Sequence, residues 1–146
     1  MIPEPPDLAA RQAELVAALV AGSPDPAGFD PERLAVARRA LVRKRAGEVA
    51  AVWPVLAASL GSDWPATFAD FAANRTPSGA LRDGWDLARE LHRQRRLGDT
   101  AAVELAELEV TLRYRDGRRR RLPSARRCGR GVVAQCGGRV FGLGIR

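Results

Sequence analysis

The sequence predicts an α+β protein: an N-terminal bundle of about six helices, then a small C-terminal antiparallel sheet of three to four strands. Apolar residues recur at helical spacing as far as residue 109, and beyond it they alternate with polar ones at the period of a half-buried strand. The charge changes at the same place, because residues 113–146 carry a net +10 within a formal total of +7. We therefore predict a flexible tail over 1–6, a helical domain over 7–109 and a basic β-element over 110–146.

Capping residues mark the predicted starts of the first two helices. Asp7 precedes the first apolar stripe, and Asp30 is followed by Pro31 at the first helical position. The second helix is expected to run to Trp53. Pro54 must kink or stop it there, because proline lacks a backbone donor and clashes with the preceding turn.

Four further helices are expected before residue 110. The third covers about 55–60 and ends at a glycine, and the fourth starts near residue 63 with aromatic residues at i, i+4 and i+7. The fifth covers about 80–94, and the sixth starts at a cap formed by residues 99–100. Its acidic side is expected either to meet the arginine-rich C-terminal element or to be solvated: Glu104, Glu107 and Glu109.

Turn signals divide the C-terminal segment into strands. Asp116-Gly117 and Gly137-Gly138 are typical of hairpin turns, in which positive φ angles favour glycine. The predicted strands cover residues 110–115, 118–122, 131–136 and 139–145, with a loop over 124–129. Such a small sheet needs the helical body or a partner to cover it.

Catalytic and metal-binding patterns are absent from the sequence. His92 is the only histidine, and Cys128 and Cys136 are eight residues apart, so neither a zinc pattern nor a CxxC motif can form. The cysteines are expected to be inert thiols, with a disulfide as the alternative. We predict a protein that is not an enzyme and that needs no cofactor of its own.

Cell location is predicted from two absences in the sequence. It contains no run of roughly 20 apolar residues that could span a membrane. The first seven residues are acidic and proline-rich, unlike a signal peptide. A cytoplasmic protein with reduced thiols is therefore expected.

Three interpretations of the arginine run at residues 118–121 remain open from the residues alone. It can be a solvated hairpin arm, it can contact phosphates of nucleic acid, or it can dock an acidic peptide beside an exposed strand edge. Few aromatic residues accompany the run, which disfavours a base-stacking platform. In a strand, alternate arginines face opposite sides, so only Arg118 and Arg120, or Arg119 and Arg121, would act together.

The order of several structural motifs resembles the helical domain of the HvfC/BufC family, in a small actinobacterial branch with a short C-terminal β-element. The resemblance covers about residues 8–112. It consists of an aromatic-proline pair ending a long helix, a Leu-Gly pair, a Phe helix, a Pro-Ser loop and a last helix of Leu-Ala-x-Leu-Glu type. In this chain those motifs are Trp53-Pro54, Leu60-Gly61, Phe68, Pro77-Ser78, Leu81, Gly84-Trp85, Leu91 and Glu104-Leu105-Ala106-x-Leu108-Glu109.

The resemblance implies a role as a partner protein of multinuclear non-haem iron oxidative enzymes (MNIOs), which are TIM-barrel enzymes that modify ribosomally made peptides. Such a partner binds the leader of the precursor peptide and presents it to the enzyme, and iron is expected only in the enzyme. The alternative is a DNA-binding module, because the helical domain of the family has also been described as a DNA-binding domain. The residues we predict to contact the peptide are Leu112, Arg113, Tyr114, Arg115, Arg119, Arg121, Val133, Phe141 and Leu143.

Overall fold

A computed structural model describes residues 7–73, 75–129 and 131–144. The tail predicted for residues 1–6, the loop position Asn74 and the last strand position Ile145 lie outside this described part. Its helices are α1 (Leu8–Val20), α2 (Pro31–Val52), α3 (Pro54–Leu60), α4 (Trp64–Ala72), α5 (Ala80–Arg93) and α6 (Asp99–Thr111), with a short 3-10 turn at Gly61–Asp63. Its strands are β1 (Ser124–Cys128), β2 (Gly131–Cys136) and β3 (Arg139–Leu143). The predicted α+β class is confirmed.

Predicted helix ends agree closely with the structure where a cap or a proline sets them. The Asp7 carboxylate accepts a hydrogen bond from the Ala9 amide, and the Asp30 carboxylate accepts one from the Glu32 amide at 2.9 Å. Pro54 separates α2 from α3, with Trp53 between them as the N-cap of α3. No helix in the described ranges is long and apolar enough to cross a membrane.

The chain folds into two compact units, and the first comprises residues 1–47 and 65–78. Arg38 joins α1 to α2 there: its Nε donates to the carbonyl oxygen of Ala18 at 2.7 Å, and its guanidinium pairs with Asp25. Further along α2, the guanidinium of Arg45 lies 5.7 Å from the ring centroid of Phe68. Arginine side chains of α2 thus contact both α1 and α4 within this unit.

The second unit comprises residues 48–64 and 79–146, and its helical part is built around two tryptophans. Trp53 and Trp85 meet edge to face with ring centroids 6.3 Å apart. The Trp53 indole also donates to the Leu81 carbonyl oxygen at 3.1 Å, so a hydrogen bond and a ring contact both join Trp53 to α5. Gly84 lies on α5 against Trp53, in a position where a Cβ atom would overlap the indole ring.

The sheet packs one face against α6 in this second unit. Its strands are antiparallel in the order β1-β2-β3. Val133 at the centre of β2 is fully buried with Ala106 and Val110 of α6, and Cys128 packs beside them. This core positions the segment between α6 and β1, which contains the arginine run.

The first two predicted strands are wrong. Helix α6 continues to Thr111, and Val110 packs into the core as a helical residue. The alternation over residues 110–115 is too short to distinguish the period of a strand from that of a helix. The chain still reverses its direction at Gly117, where φ is +65°. In the described residues, however, only the isolated bridge Leu112–Arg119 pairs the segments before and after this turn. Strand β1 occupies the predicted loop 124–129, and the predicted boundary at residue 110 falls inside α6.

Candidate functional site

An arginine-rich loop connects α6 to the sheet, and we call residues 113–123 the arginine loop. It surrounds an open depression of about 990 Å³. The depression is lined by Arg113, Arg118, Arg119, Arg120, Arg121, Leu122 and Pro123. Residue 123 leads directly into β1, so the depression lies next to an edge strand of the sheet.

Tyr114 anchors the start of the arginine loop to α5. Its hydroxyl donates to the Asp86 carboxylate at 2.5 Å, and its ring meets Trp85 edge to face at 5.5 Å. The guanidinium groups of Arg82 and Arg89 lie 3.8 and 4.4 Å from the ring centroid. These contacts occupy both the hydroxyl and the ring, so Tyr114 acts as an anchor for the loop.

Arg120 is the one member of the run that turns inward to the backbone. Its Nε donates to the carbonyl oxygens of Glu109 at 3.0 Å and Leu112 at 3.1 Å, at the C-terminal end of α6. A cation there satisfies carbonyl groups that have no helical partner and opposes the negative end of the helix dipole. Arg120 therefore holds the loop in place.

The remaining cations of the loop differ in how far their charge is neutralised. Arg113 pairs with Asp116 at 2.6 Å. The Asp116 carboxylate also accepts a hydrogen bond from the Arg118 amide, and this bond, followed by the nearby arginine charges, lowers the pKa of Asp116. Arg119 and Arg121 are exposed and form no ion pair within the described part of the chain, and the same is true of Arg115. Among the residues that line the depression, Arg119 and Arg121 therefore carry positive charge that no carboxylate of the described residues neutralises.

Glu109 connects α5, α6 and β1 beneath the loop. Its carboxylate accepts from Arg89 at 2.6 Å, from Arg126 at 3.1 Å and from the Trp85 indole at 3.3 Å. Partial burial raises the pKa of Glu109, but the hydrogen bonds and the charge of Arg89 together outweigh it, so the pKa lies below its ordinary value. The expected contact between acidic α6 and the C-terminal arginines is confirmed at this residue.

The other two glutamates of α6 form no ion pair with a C-terminal arginine of the described residues. Glu104 accepts from the amides of Val55 at 3.1 Å and Leu56 at 2.7 Å, so it caps the N-terminus of α3 from another helix. Glu107 is exposed. Sequence reasoning missed the capping role, because nothing in the local pattern links residues 49 positions apart.

The structure divides the predicted peptide-contact residues into separate groups. Arg113, Arg119 and Arg121 line the depression, while Leu112 is half-buried at the bridge to Arg119. Val133 is wrong as a contact residue, because it is fully buried against α6. A separate pair lies on β3, at the opposite edge of the sheet from β1: Phe141, which is 51% exposed, and Leu143, which is 69% exposed.

The two cysteines are free thiols and cannot pair within the chain. Cys128 lies opposite Gly131, and Cys136 is five residues further along β2. That separation is about 16 Å at the rise of a strand, far beyond the Cα distance of about 7 Å that a disulfide allows. Burial, and secondarily the charge of Asp99, raises the pKa of the Cys128 thiol, which is typical of an unreactive cysteine.

No cluster of three or more metal-ligating residues occurs in the ranges that the structure describes. The fold and site thus define an α+β protein whose tryptophan-centred helical unit carries a basic loop and a half-covered sheet. The chain belongs to the SCO6045-like C-terminal domain family, whose model matches residues 9–93. This match includes nearly all of α1 through α5, and it ends before α6, the arginine loop and the sheet.

Among curated proteins, the chain is similar to a "UPF0276 protein" of Streptomyces avermitilis, with 45% identity over 85 residues. The match covers 58% of this chain but only 18% of that protein, so the chain corresponds to less than a fifth of the relative's length. No solved structure matches the chain.

Proposed function

We propose that this chain is a non-catalytic partner protein that binds an acidic leader segment of a ribosomally made precursor peptide and presents it to an MNIO-family iron enzyme. The observation that carries the proposal is the uncompensated charge of Arg119 and Arg121 around an open depression beside a sheet edge. The chain uses no cofactor for this role, and iron belongs to the enzyme. We place the activity in the cytoplasm, where ribosomal peptides are made.

Two physical features make this site suited to a peptide. Carboxylates of the leader would form charge-assisted hydrogen bonds with Arg119 and Arg121, which need no rearrangement of Arg120 or Tyr114. A peptide leaving the depression beyond Pro123 would lie along β1, whose outer side is an edge of the sheet. Main-chain pairing there would supply affinity that is independent of the peptide's side chains.

The Streptomyces relative supports a role beside a larger protein. Its matching segment is joined in one chain to a remainder more than four times as long. A domain that lies in the same chain as a longer segment in one protein can also bind a separate protein, without the effective concentration that a linker provides. When this chain binds the leader and the enzyme together, it would raise the effective concentration of the substrate peptide near the enzyme.

Co-expression tests the proposal directly. The tagged chain is produced with the products of its neighbouring genes, and we expect an iron-containing enzyme and a short cysteine-bearing peptide to purify with it. Arg119→Glu with Arg121→Glu should weaken binding of that peptide at least tenfold. The matched control is Arg39→Glu with Arg43→Glu, which makes the same charge change on exposed positions of α2. Equal peptide binding by both double variants would contradict the role of the arginine loop.

A DNA-binding module is the second candidate, and the net charge of +10 over residues 113–146 favours it. The engagement of Tyr114 by α5 disfavours it, because that ring is not free to stack on a base. Duplex binding would fall steeply with salt, with a log–log slope of about −0.9 per phosphate contacted. A gel-shift experiment at moderate salt that yields no complex would remove this candidate.

A further inference from the structure

We propose that the sheet face opposite α6 docks an amphipathic α-helix of a partner protein, with one carboxylate near each end of its apolar stripe. We call this surface the open face. It is formed by Ala125, Arg127, Val132, Ala134, Cys136, Arg139, Phe141 and Leu143. The inference concerns a different surface from the arginine loop and does not depend on leader binding.

The register of the sheet decides which side chains share the open face. Arg126 and Val133 are paired across β1 and β2, and both point toward α6, where Arg126 reaches Glu109 and Val133 enters the core. Because side chains alternate along a strand, their neighbours point the other way. The open face thus has three rows: Arg127–Val132–Leu143, Ala125–Ala134–Phe141 and Cys136–Arg139.

The chemistry of the open face is apolar in the middle and basic at two corners. Ala125 and Ala134 are small, so the central row forms a shallow floor beside the half-exposed ring of Phe141. Leu143 is 69% exposed although it is a large apolar residue. Helix α6 packs on the opposite face, so a second helix here would complete a three-layer arrangement of helix, sheet and helix.

Charge complementarity sets the chemistry of the partner. Arg127 on β1 and Arg139 on β3 are exposed, and neither forms an ion pair with an acid in the described ranges. They occupy the two outer strands and the two outer rows. Four residues along a strand and two inter-strand spacings place them about 16 Å apart. The occupant should therefore present two carboxylates at that distance.

An α-helix can meet this spacing while it keeps one face apolar. At 1.5 Å per residue, 16 Å corresponds to about eleven residues, which is three full turns. Two acidic residues eleven positions apart thus lie on the same side of a helix as an apolar stripe between them. A strand of the same length would need only about five residues, and it would pair with a sheet edge instead of covering the face.

The test uses designed peptides on the unmodified full chain. One 18-residue helix carries a leucine stripe with glutamates eleven residues apart, and a second carries lysines at the same two positions. We expect titration calorimetry to give at least tenfold tighter binding of the glutamate peptide. Amide shifts in the NMR spectrum should map to β2 and β3. Arg127→Glu with Arg139→Glu should reverse the preference, and this reversal is independent of any small loss of stability.

Three results would overturn the proposal: equal affinity for the two peptides, shifts confined to the arginine loop, or a dimer by light scattering that Phe141→Ser dissociates. The last would identify a second copy of this chain as the occupant. Val36→Ser, at a 57% exposed valine of α2, is the control for removing a surface apolar group. The Arg119→Glu, Arg121→Glu chain should bind the glutamate helix as the wild type does, which separates this test from that of leader binding.

Discussion

The Nε atom of Arg120 lies 3.0 Å from the backbone carbonyl oxygen of Glu109, so one arginine of an uninterrupted run of four is a structural residue. Its neighbour Arg121 is exposed and lines the depression. The two residues are adjacent in sequence, but of this pair only Arg120 is held by the carbonyl groups at the end of α6. Their roles can therefore be separated by single substitutions.

Arg120→Ala should destabilise the fold, and Arg121→Ala should not. Loss of the Arg120 guanidinium leaves the Glu109 and Leu112 carbonyl groups without a charged donor at the end of α6, which costs about 1–2 kcal/mol. Arg121→Ala should change the free energy of unfolding by less than about 0.5 kcal/mol. Urea unfolding followed by circular dichroism measures both. Equal losses would show that Arg120 is not a distinct anchor.

The arginine run also shows what the sequence could and could not predict. The charge distribution located the basic segment, but the strand alternation expected for the run is absent, because residues 118–122 form only the bridge at Arg119. The acceptor carbonyls of Arg120 belong to Glu109 in α6 and to its C-cap Leu112, and they are defined only once that helix ends at Thr111. Because the predicted helix ended at residue 109, the C-terminal cap could not be foreseen.

Glu109→Gln should lower stability in a pH-dependent way. The fold lowers the pKa of Glu109 from its ordinary value of 4.5, so the charged form is stabilised in the native state. The contribution is present above the unfolded pKa and is lost as pH falls below about 4.5 through the folded pKa. The variant should be less stable at pH 7 by about 1–3 kcal/mol. This difference should shrink toward pH 3.

The control for this measurement is Glu107→Gln, an exposed carboxylate on the same helix. It should leave the free energy of unfolding nearly unchanged across the same pH range. A pH-independent gap between Glu109→Gln and the wild type would instead assign the loss to packing of the amide, and would contradict the electrostatic account.

Glu104→Ala should weaken the start of α3. The two carboxylate oxygens of Glu104 satisfy the Val55 and Leu56 amides, which lie in the first turn and have no helical acceptor. Removal of a capping carboxylate costs about 1–2 kcal/mol. Hydrogen exchange should accelerate at these two amides more than elsewhere in the helix. Uniform acceleration across the second unit would point to global destabilisation instead.

Local signals predicted the helices and the strands at residues 131–136 and 139–143 well, whereas non-local contacts determine β1, which the sequence prediction missed. Asp7, Asp30 and Pro54 act within a few residues of their own positions, so their effects can be read in sequence. Residues 124–128 form a strand because they pair with β2 and pack on α6, although their own composition resembles a loop. Tertiary context decides strand formation in such short segments.

Gly84→Ala should destabilise the second unit although alanine favours helices. A Cβ at residue 84 would overlap the indole of Trp53 and lie 2.7 Å from its Cγ. The ring cannot move freely, because it donates to Leu81 and packs against Trp85. We expect a loss of about 1–3 kcal/mol or more from overpacking. Gly47→Ala is the matched control, since nothing lies within 4 Å of its added Cβ in α2, and it should gain about 0.5–1 kcal/mol. If both variants gain stability in thermal unfolding, Trp53 has room to shift and the close packing of Trp53 on α5 is not a determinant of the fold.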